Sequence, residues 1–241
     1  MQLSDAHCHV ADRAFVQQLK RQHIFTTINC ATPAEFTQNQ TWVGRSRYLR
    51  LSAGVHPWQV DKVSLNQMMP ILQQVPIIGE IGLDNVWTKT DLALQQQVFS
   101  KQLSYAEQAH KPVIVHVKGM APAALKIMRP YFTTFLIHWY DDLTYLNDFL
   151  ALGCYVSIGP SFARDANVIK VMHQVPLEKV LVESDGLSGM GWALNQELPL
   201  AAYPQRLAAC IRTLAQIHHL TSDQLAAQLV ANLKRFWLAE N

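Results

Sequence analysis

Short apolar runs alternate with longer amphipathic stretches along nearly the whole chain. The runs at residues 2–7, 24–29, 49–55, 75–81, 112–117, 134–138, 154–158 and 179–183 are the length of strands and read as such. Between them the apolar positions recur at helical spacing. In residues 91–109, for example, Leu92, Val98, Leu103 and Ala106 fall at roughly that interval, and Asp91 stands where an N-terminal cap is needed. After the last strand, residues 204–219 and 222–238 read as two closing helices, with Thr221, Ser222 and Asp223 offering the cap of the second. The stretch 187–200, with Gly189, Gly191, Asn195 and Pro199, reads as the longest irregular segment. Eight strand-like runs, each followed by a helix or loop, predict an α/β fold. A closed parallel (β/α)8 barrel of the TIM type, with extra C-terminal helices, is favoured over an open doubly wound sheet. With no linker, low-complexity tract or charge block in the chain, residues 1–241 are expected to form one domain.

Composition narrows the function classes. Hydrophobic residues are 49% of the chain and charged residues 16%, so a sizeable core can form and an ordered chain is expected. A formal charge of +2 permits a phosphate-bearing substrate without arguing for one, and the cluster Arg45, Arg47, Arg50 reads as a solvated loop. Cys8, Cys30, Cys154 and Cys210 show no CxxC or zinc-ribbon spacing, and the last three lie in apolar or helical stretches that suit buried reduced thiols. No charged-then-apolar leader precedes the first run, and no run approaches membrane-spanning length. A cytoplasmic protein with no membrane partner is expected.

The candidate chemistry lies in a regularity. Ligand-type side chains stand at the carboxyl ends of the strand-like runs, where barrel enzymes place their active sites. His7 and His9 end the first, Glu80 the fourth, His116 the fifth and His138 the sixth, and Asp185 follows the eighth. Taken singly these are weak. His7 and His9 are two apart and share a strand face, with Cys8 turned away, which suits either two ligands or an ordinary hydrogen-bonded strand end. His116 and His138 alone would read as satisfied core histidines. Glu80 is harder to set aside, because a carboxylate buried after an apolar strand needs a cation or several donors. Together the six have the composition of a two-metal hydrolytic site, with Glu80 between two divalent ions (Zn, Mn, Mg, Ni or Co) and Asp185 placed to orient a water or take its proton. Glu80 and Asp185 are thus the expected catalytic pair.

These residues carry a family resemblance. Asp5-Ala6-His7-Cys8-His9, Gly54-Val55-His56-Pro57, Gly79-Glu80-Ile81-Gly82-Leu83-Asp84, Pro112-Val113-Ile114-Val115-His116 and Val182-Glu183-Ser184-Asp185 occur in the order and spacing of the TatD family, within the amidohydrolase-like metal-dependent hydrolases. Asn232 to Phe236 is similar to that family's closing helix. The resemblance implies a distorted (β/α) barrel, divalent metals and hydrolysis of phosphodiester bonds in DNA, often from a strand end. By position, His7, His9, Glu80 and Asp185 would serve one metal, and Glu80, His116 and His138 the other.

The loops around this set depart from the family. Where members often carry an Asp after the second histidine this chain has Ala11, with Asp12 next. Val117-Lys118-Gly119 replaces an Arg-Asp pair, Trp139-Tyr140-Asp141-Asp142 follows His138, and a glycine-rich segment ending at Trp192 replaces a proline-containing one. Lys118 could still meet a phosphate as a point charge. His56 could contact a phosphate or a water, and Glu183 could fix a histidine tautomer. Trp58, Trp87, Trp139, Tyr140 and Trp192 fall in loops after strands; each could cover apolar surface, and two or more lining the mouth would favour stacking on bases. The expected activity is a DNA phosphodiesterase of exonucleolytic type. The alternatives are hydrolysis of a small amide, lactone or cyclic imide, or a non-catalytic subunit of a nucleic-acid-processing assembly. A modified lysine often bridges the metals of the amide hydrolases, and Glu80 stands in that place.

Overall fold

The computed structural model describes residues 1–239. Eight strands, β1 (Ser4–Cys8), β2 (Phe25–Cys30), β3 (Leu49–Ala53), β4 (Ile77–Asp84), β5 (Val113–Lys118), β6 (Phe135–Ile137), β7 (Tyr155–Ile158) and β8 (Val180–Val182), lie side by side in chain order, every recorded pairing parallel. Backbone N–H groups of Asp185 and Ser184, just past β8, reach the His7 carbonyl (3.1 Å) and the Asp5 carboxylate (3.0 Å) and bring the last strand round to the first. This is the (β/α)8 barrel the alternation predicts. Its strands are buried on both faces, which is why they read as continuous apolar runs rather than alternating ones.

The interior is a packed core. Ala6, Phe25, Ile77, Ile114, Leu136, Tyr155 and Leu181 point inward and meet Leu233, Phe236 and Trp237 of the last helix, α10 (Ser222–Trp237). Phe25 and Ile77 are the first residues of their strands, so α10 closes the amino end of the barrel and leaves the carboxyl end as the open mouth. The outer helices are α1 (Arg13–Arg21), α2 (Pro33–Val43), α3 (Leu65–Gln74), α4 (Leu92–Gln108), α5 (Ala121–Met128), α6 (Leu146–Ala151), α7 (Ala166–Gln174), α8 (Gly186–Leu194) and α9 (Tyr203–Ile217). Asp91 caps α4 by accepting from Leu94 N–H, and Thr221 with Gln224 forms a capping box on α10, as the sequence suggests. Asp12, the displaced acid of the first loop, caps α1 through Phe15 N–H (2.9 Å). The four cysteines are buried and free. Among the described residues no helix is long and apolar enough to cross a membrane.

One element differs from expectation. The stretch 187–200 holds helix α8, not an irregular loop, followed by a left-handed Asn195 and a short 3-10 turn at Leu200–Ala202. Its glycines look like helix breakers in sequence but serve close approach. A Cβ on Gly186, which sits at φ +79°, would lie 2.2 Å from the His9 carbonyl oxygen. The helix can therefore begin directly against the end of β1.

Candidate metal centre

Two strand irregularities aim the central side chains. The register of β1 shifts between Asp5 and Cys8 and that of β4 between Ile78 and Ile81, so His7 and Glu80 both lie where pairing is interrupted. The expected six residues converge. Glu80 stands at the middle with each carboxylate oxygen facing its own group of nitrogens. Oε1 lies 2.7 Å from His116 Nδ1, 2.7 Å from His138 Nε2 and 3.1 Å from His56 Nε2. Oε2 lies 3.2 Å from His7 Nε2 and 3.5 Å from His9 Nε2. Asp185 Oδ1 completes the second group at 3.4 Å from His7 Nε2 and 3.7 Å from His9 Nε2.

Carboxylates stand behind two of the imidazoles. His138 Nδ1 lies 3.1 Å from Glu183 Oε1, and Ser157 Oγ donates to the other Glu183 oxygen (2.5 Å), so the proton on Nδ1 leaves Nε2 facing Glu80. His116 Nε2 lies 3.0 Å from Asp84 Oδ2 in the same way. Asp84 also accepts from Trp58 Nε1 (2.6 Å) and from the backbone N–H groups of Val86 and Trp87 (2.7 and 2.9 Å). Beneath His7, the buried Asp5 carboxylate accepts from Ser184 N–H, Ser184 Oγ, Tyr203 OH (2.6 Å) and the His7 N–H (3.3 Å).

The electrostatics of the pocket follow from burial and this mutual facing. Burial pushes the Glu80 carboxyl up, but the charges of His138, His56 and His7 and the His116 hydrogen bond outweigh it and hold it well below the ordinary range. Burial pushes Asp84 up as well, and its hydrogen bonds from His116, Trp58 and the Trp87 and Val86 backbone bring it below the ordinary value. His138 is pushed down by burial yet raised to about 9 by Glu80 and Glu183, while burial dominates at His56 and lowers it to about 4. Burial raises Asp5 to about 7 against the pull of its donors.

The residues fit a divalent cation on an observation of their own. His7 is fully buried, and neither of its ring nitrogens makes a hydrogen bond, although Nε2 is within ion-pair distance of two carboxylate oxygens. An imidazole left in that condition is costly, and a cation held by the nitrogen and these carboxylates would remove the cost. Three overlapping groups have donor atoms within 4.8 Å of one another: His7 with His9 and Asp185, His7 with Glu80 and His138, and His56 with Glu80 and His116.

Several side chains fall elsewhere than the sequence suggests. His56 lies on Glu80 itself, 3.1 Å from its carboxylate. Lys118 is engaged by Asp141 (2.7 Å). Tyr140 is in the core against Phe149, so it is no part of the mouth. Trp139 does stand at the mouth, held by Ser161 Oγ on its Nε1 (2.8 Å). Asp84 and Asp5 carry the centre from behind and were not singled out in the sequence. Asp84 had a signal, since it is four positions after Glu80 and so on the same strand face.

Comparison with known proteins agrees with this geometry. Residues 4–238 match the family model described as TatD related DNase. The chain is 25% identical to the Escherichia coli metal-dependent hydrolase YjjV over 252 residues, covering 95% of each protein. It is 23% identical to the human deoxyribonuclease TATDN3, covering 97% of this chain and 94% of that one. The crystal structure of E. coli YjjV superposes with a TM-score of 0.83 at 22% identity, covering 98% of this chain and 97% of the other. The chain belongs to the TatD-related DNase family.

Proposed function

We propose that the protein is a divalent-metal-dependent phosphodiesterase acting on DNA, working at an unpaired strand end. The observation that carries this reading is the division of Glu80, one oxygen towards His116, His138 and His56 and the other towards His7 and His9. A carboxylate flanked on both sides by nitrogens could serve two cations at once. His7, His9, Glu80 and Asp185 would hold one cation, and Glu80, His116 and His138 the other, with His56 beside the second. Bound there, divalent cations supply Lewis acidity, acidifying water and drawing charge from a phosphoryl oxygen.

The protein's own part is orientation and proton handling. Asp84 and Glu183 fix the tautomers of His116 and His138 so that the free ring nitrogens face Glu80. Asp185 is the carboxylate of the group most open to solvent, and burial, which pushes it up, is outweighed by its contacts with His7 and His9, so it is ionised. It is placed to orient the attacking water and accept its proton. The matched family and the name of the human relative support a nucleic-acid substrate.

The test is a divalent-metal screen of the purified protein on single-stranded DNA, a simple aryl phosphodiester and a panel of small amides and lactones. DNA cleavage should appear only with added cation and fall by about a thousandfold or more in Glu80→Gln and Asp185→Asn. Cation-dependent cleavage of amides or lactones without cleavage of any phosphodiester would overturn the reading.

A further inference from the structure

Trp87, Trp139 and Trp192 form a row. The rings of Trp87 and Trp192 stand 5.8 Å apart at 86°, and those of Trp139 and Trp192 stand 5.8 Å apart at 75°. Their origins give the row its meaning. Trp87 follows β4, Trp139 follows β6, and Trp192 lies on α8 after β8. In an eight-stranded ring β4 and β8 are opposite one another, so contact between their loops must pass across the mouth. The row therefore spans the carboxyl end on the side of β5 to β7, over the end of the barrel where Glu80 lies.

Each member is fixed by groups of the centre or its neighbours. The Trp87 N–H is held by Asp84, which also holds His116. Trp139 directly follows His138 and sits at φ +40°, a backbone conformation strained for so bulky a residue. Its ring lies so close over Gly159 that a Cβ there would come within 2.3 Å. Trp192 is carried by the helix that begins next to Asp185. Yet Trp87 and Trp192 are 56% and 65% exposed. Edge-to-face contacts cover one face of one ring each, so most of the surface of the Trp87 and Trp192 rings stays bare. Trp87 and Trp192, left exposed beside a buried polar centre and ranged against the half-buried, anchored Trp139, are poorly explained as cover for apolar surface.

Two further observations say what the row receives. The centre opens on the His9 and Asp185 side, whose side chains are 37% and 24% exposed, against 4% for Glu80. A phosphodiester entering there would have a flanking group beside Trp192, on the helix that begins next to Asp185. Lys118, at the end of β5, is already paired with Asp141. Ring stacking, which is independent of charge, is a source of affinity that the exposed indoles supply. Resting on the phosphodiesterase reading, we propose that Trp87, Trp139 and Trp192 form a stacking subsite for an unpaired nucleobase next to the phosphodiester held at the Glu80 centre.

The experiment uses short oligothymidylates, each with a single abasic position, alongside the intact strand. Cleavage rates are measured with cation, and tryptophan fluorescence is titrated without it. Wild-type protein should prefer the base-bearing strand at one position near the cleaved bond. Trp192→Ala should lower the base-to-abasic ratio of kcat/KM by about tenfold, with Trp192→Phe restoring most of it. The intact strand should quench fluorescence in wild type and less so in Trp192→Ala. Equal kcat/KM on all strands, or the same base preference in Trp192→Ala as in wild type, overturns the subsite while leaving the phosphodiesterase standing. Quenching that depends on Trp192 and on the base, with no cleavage under any cation, supports the subsite and overturns the catalytic reading. Neither cleavage nor quenching overturns both.

Discussion

At the corner of the centre formed by β4, β5 and β6, the side chains are anchored by other side chains: His116 by Asp84, His138 by Glu183, and Glu80 by three imidazoles. At the corner formed by β1 and β8 the ligand-type groups have no such backing. His7 makes no ring hydrogen bond, His9 and Asp185 are partly open to solvent, and Asp185 sits at φ +54°. What positions them is the backbone seam beneath, where Asp5 and the His7 carbonyl gather the N–H groups of Ser184, Asp185 and His7. The difference separates two tasks. The first corner is preorganised before anything binds, and the second keeps its valences free for what arrives from outside.

The largest effect expected from disturbing this contrast is at Asp5. Asp5→Ala removes the acceptor for the Ser184 and Tyr203 hydroxyls and for two backbone N–H groups, all buried. Orphaned buried donors cost about 1–3 kcal/mol each and relax in part together, so urea denaturation should show a loss of roughly 3 kcal/mol. Asp5→Asn, which keeps one acceptor oxygen, should lose less. A loss below about 0.5 kcal/mol for the alanine variant would mean that the seam does not hold the open corner, since even exposed sites vary by that much.

The next effect is smaller and falls on cation binding. Asp84→Asn and Glu183→Gln keep shape but weaken the hold on the tautomers of His116 and His138. Such changes behind a ligand lower metal affinity by about 10- to 100-fold. Calorimetric titration should show the loss in one of two binding events, the other corner keeping its affinity. A uniform loss at both would show that the corners act as one unit and would break the contrast.

The same contrast explains what was legible in the chain. Apolar runs mark the strands because a parallel barrel buries both faces, and polar ligand types at their ends mark the mouth. His7, His9, Glu80, His116, His138 and Asp185 could be gathered from that pattern alone. Asp5 and the place of His56 could not, because they depend on register shifts in β1 and β4 and on the seam between the first and last strands, which no local pattern encodes. Helix α8 was hidden because its glycines look like breakers, whereas its first, Gly186, answers to the His9 backbone, far away in sequence. The tryptophans could be placed in loops after strands, but their alignment in a row could not, for a related reason. Its members lie after β4, β6 and β8, and only closure of the ring brings opposite loops together.

The smallest expected effect concerns Lys118, beside the anchored corner. Its ion pair with Asp141 is partly exposed, with side chains 22% and 35% accessible, so screening leaves it worth at most about 1 kcal/mol. If substrate charge is met at the open corner and the flanking base at the tryptophan row, Lys118 has no phosphate to hold. Lys118→Met should then change KM for single-stranded DNA by no more than about threefold, and the dependence of KM on salt should stay as in wild type. Asp141→Asn separates the two cases further. Were the lysine to leave Asp141 for a phosphate in the complex, removing that competitor would lower KM, and Lys118→Met would raise KM and flatten its salt dependence. That pair of results would place phosphate recognition at the anchored corner and reverse the division of tasks between the two.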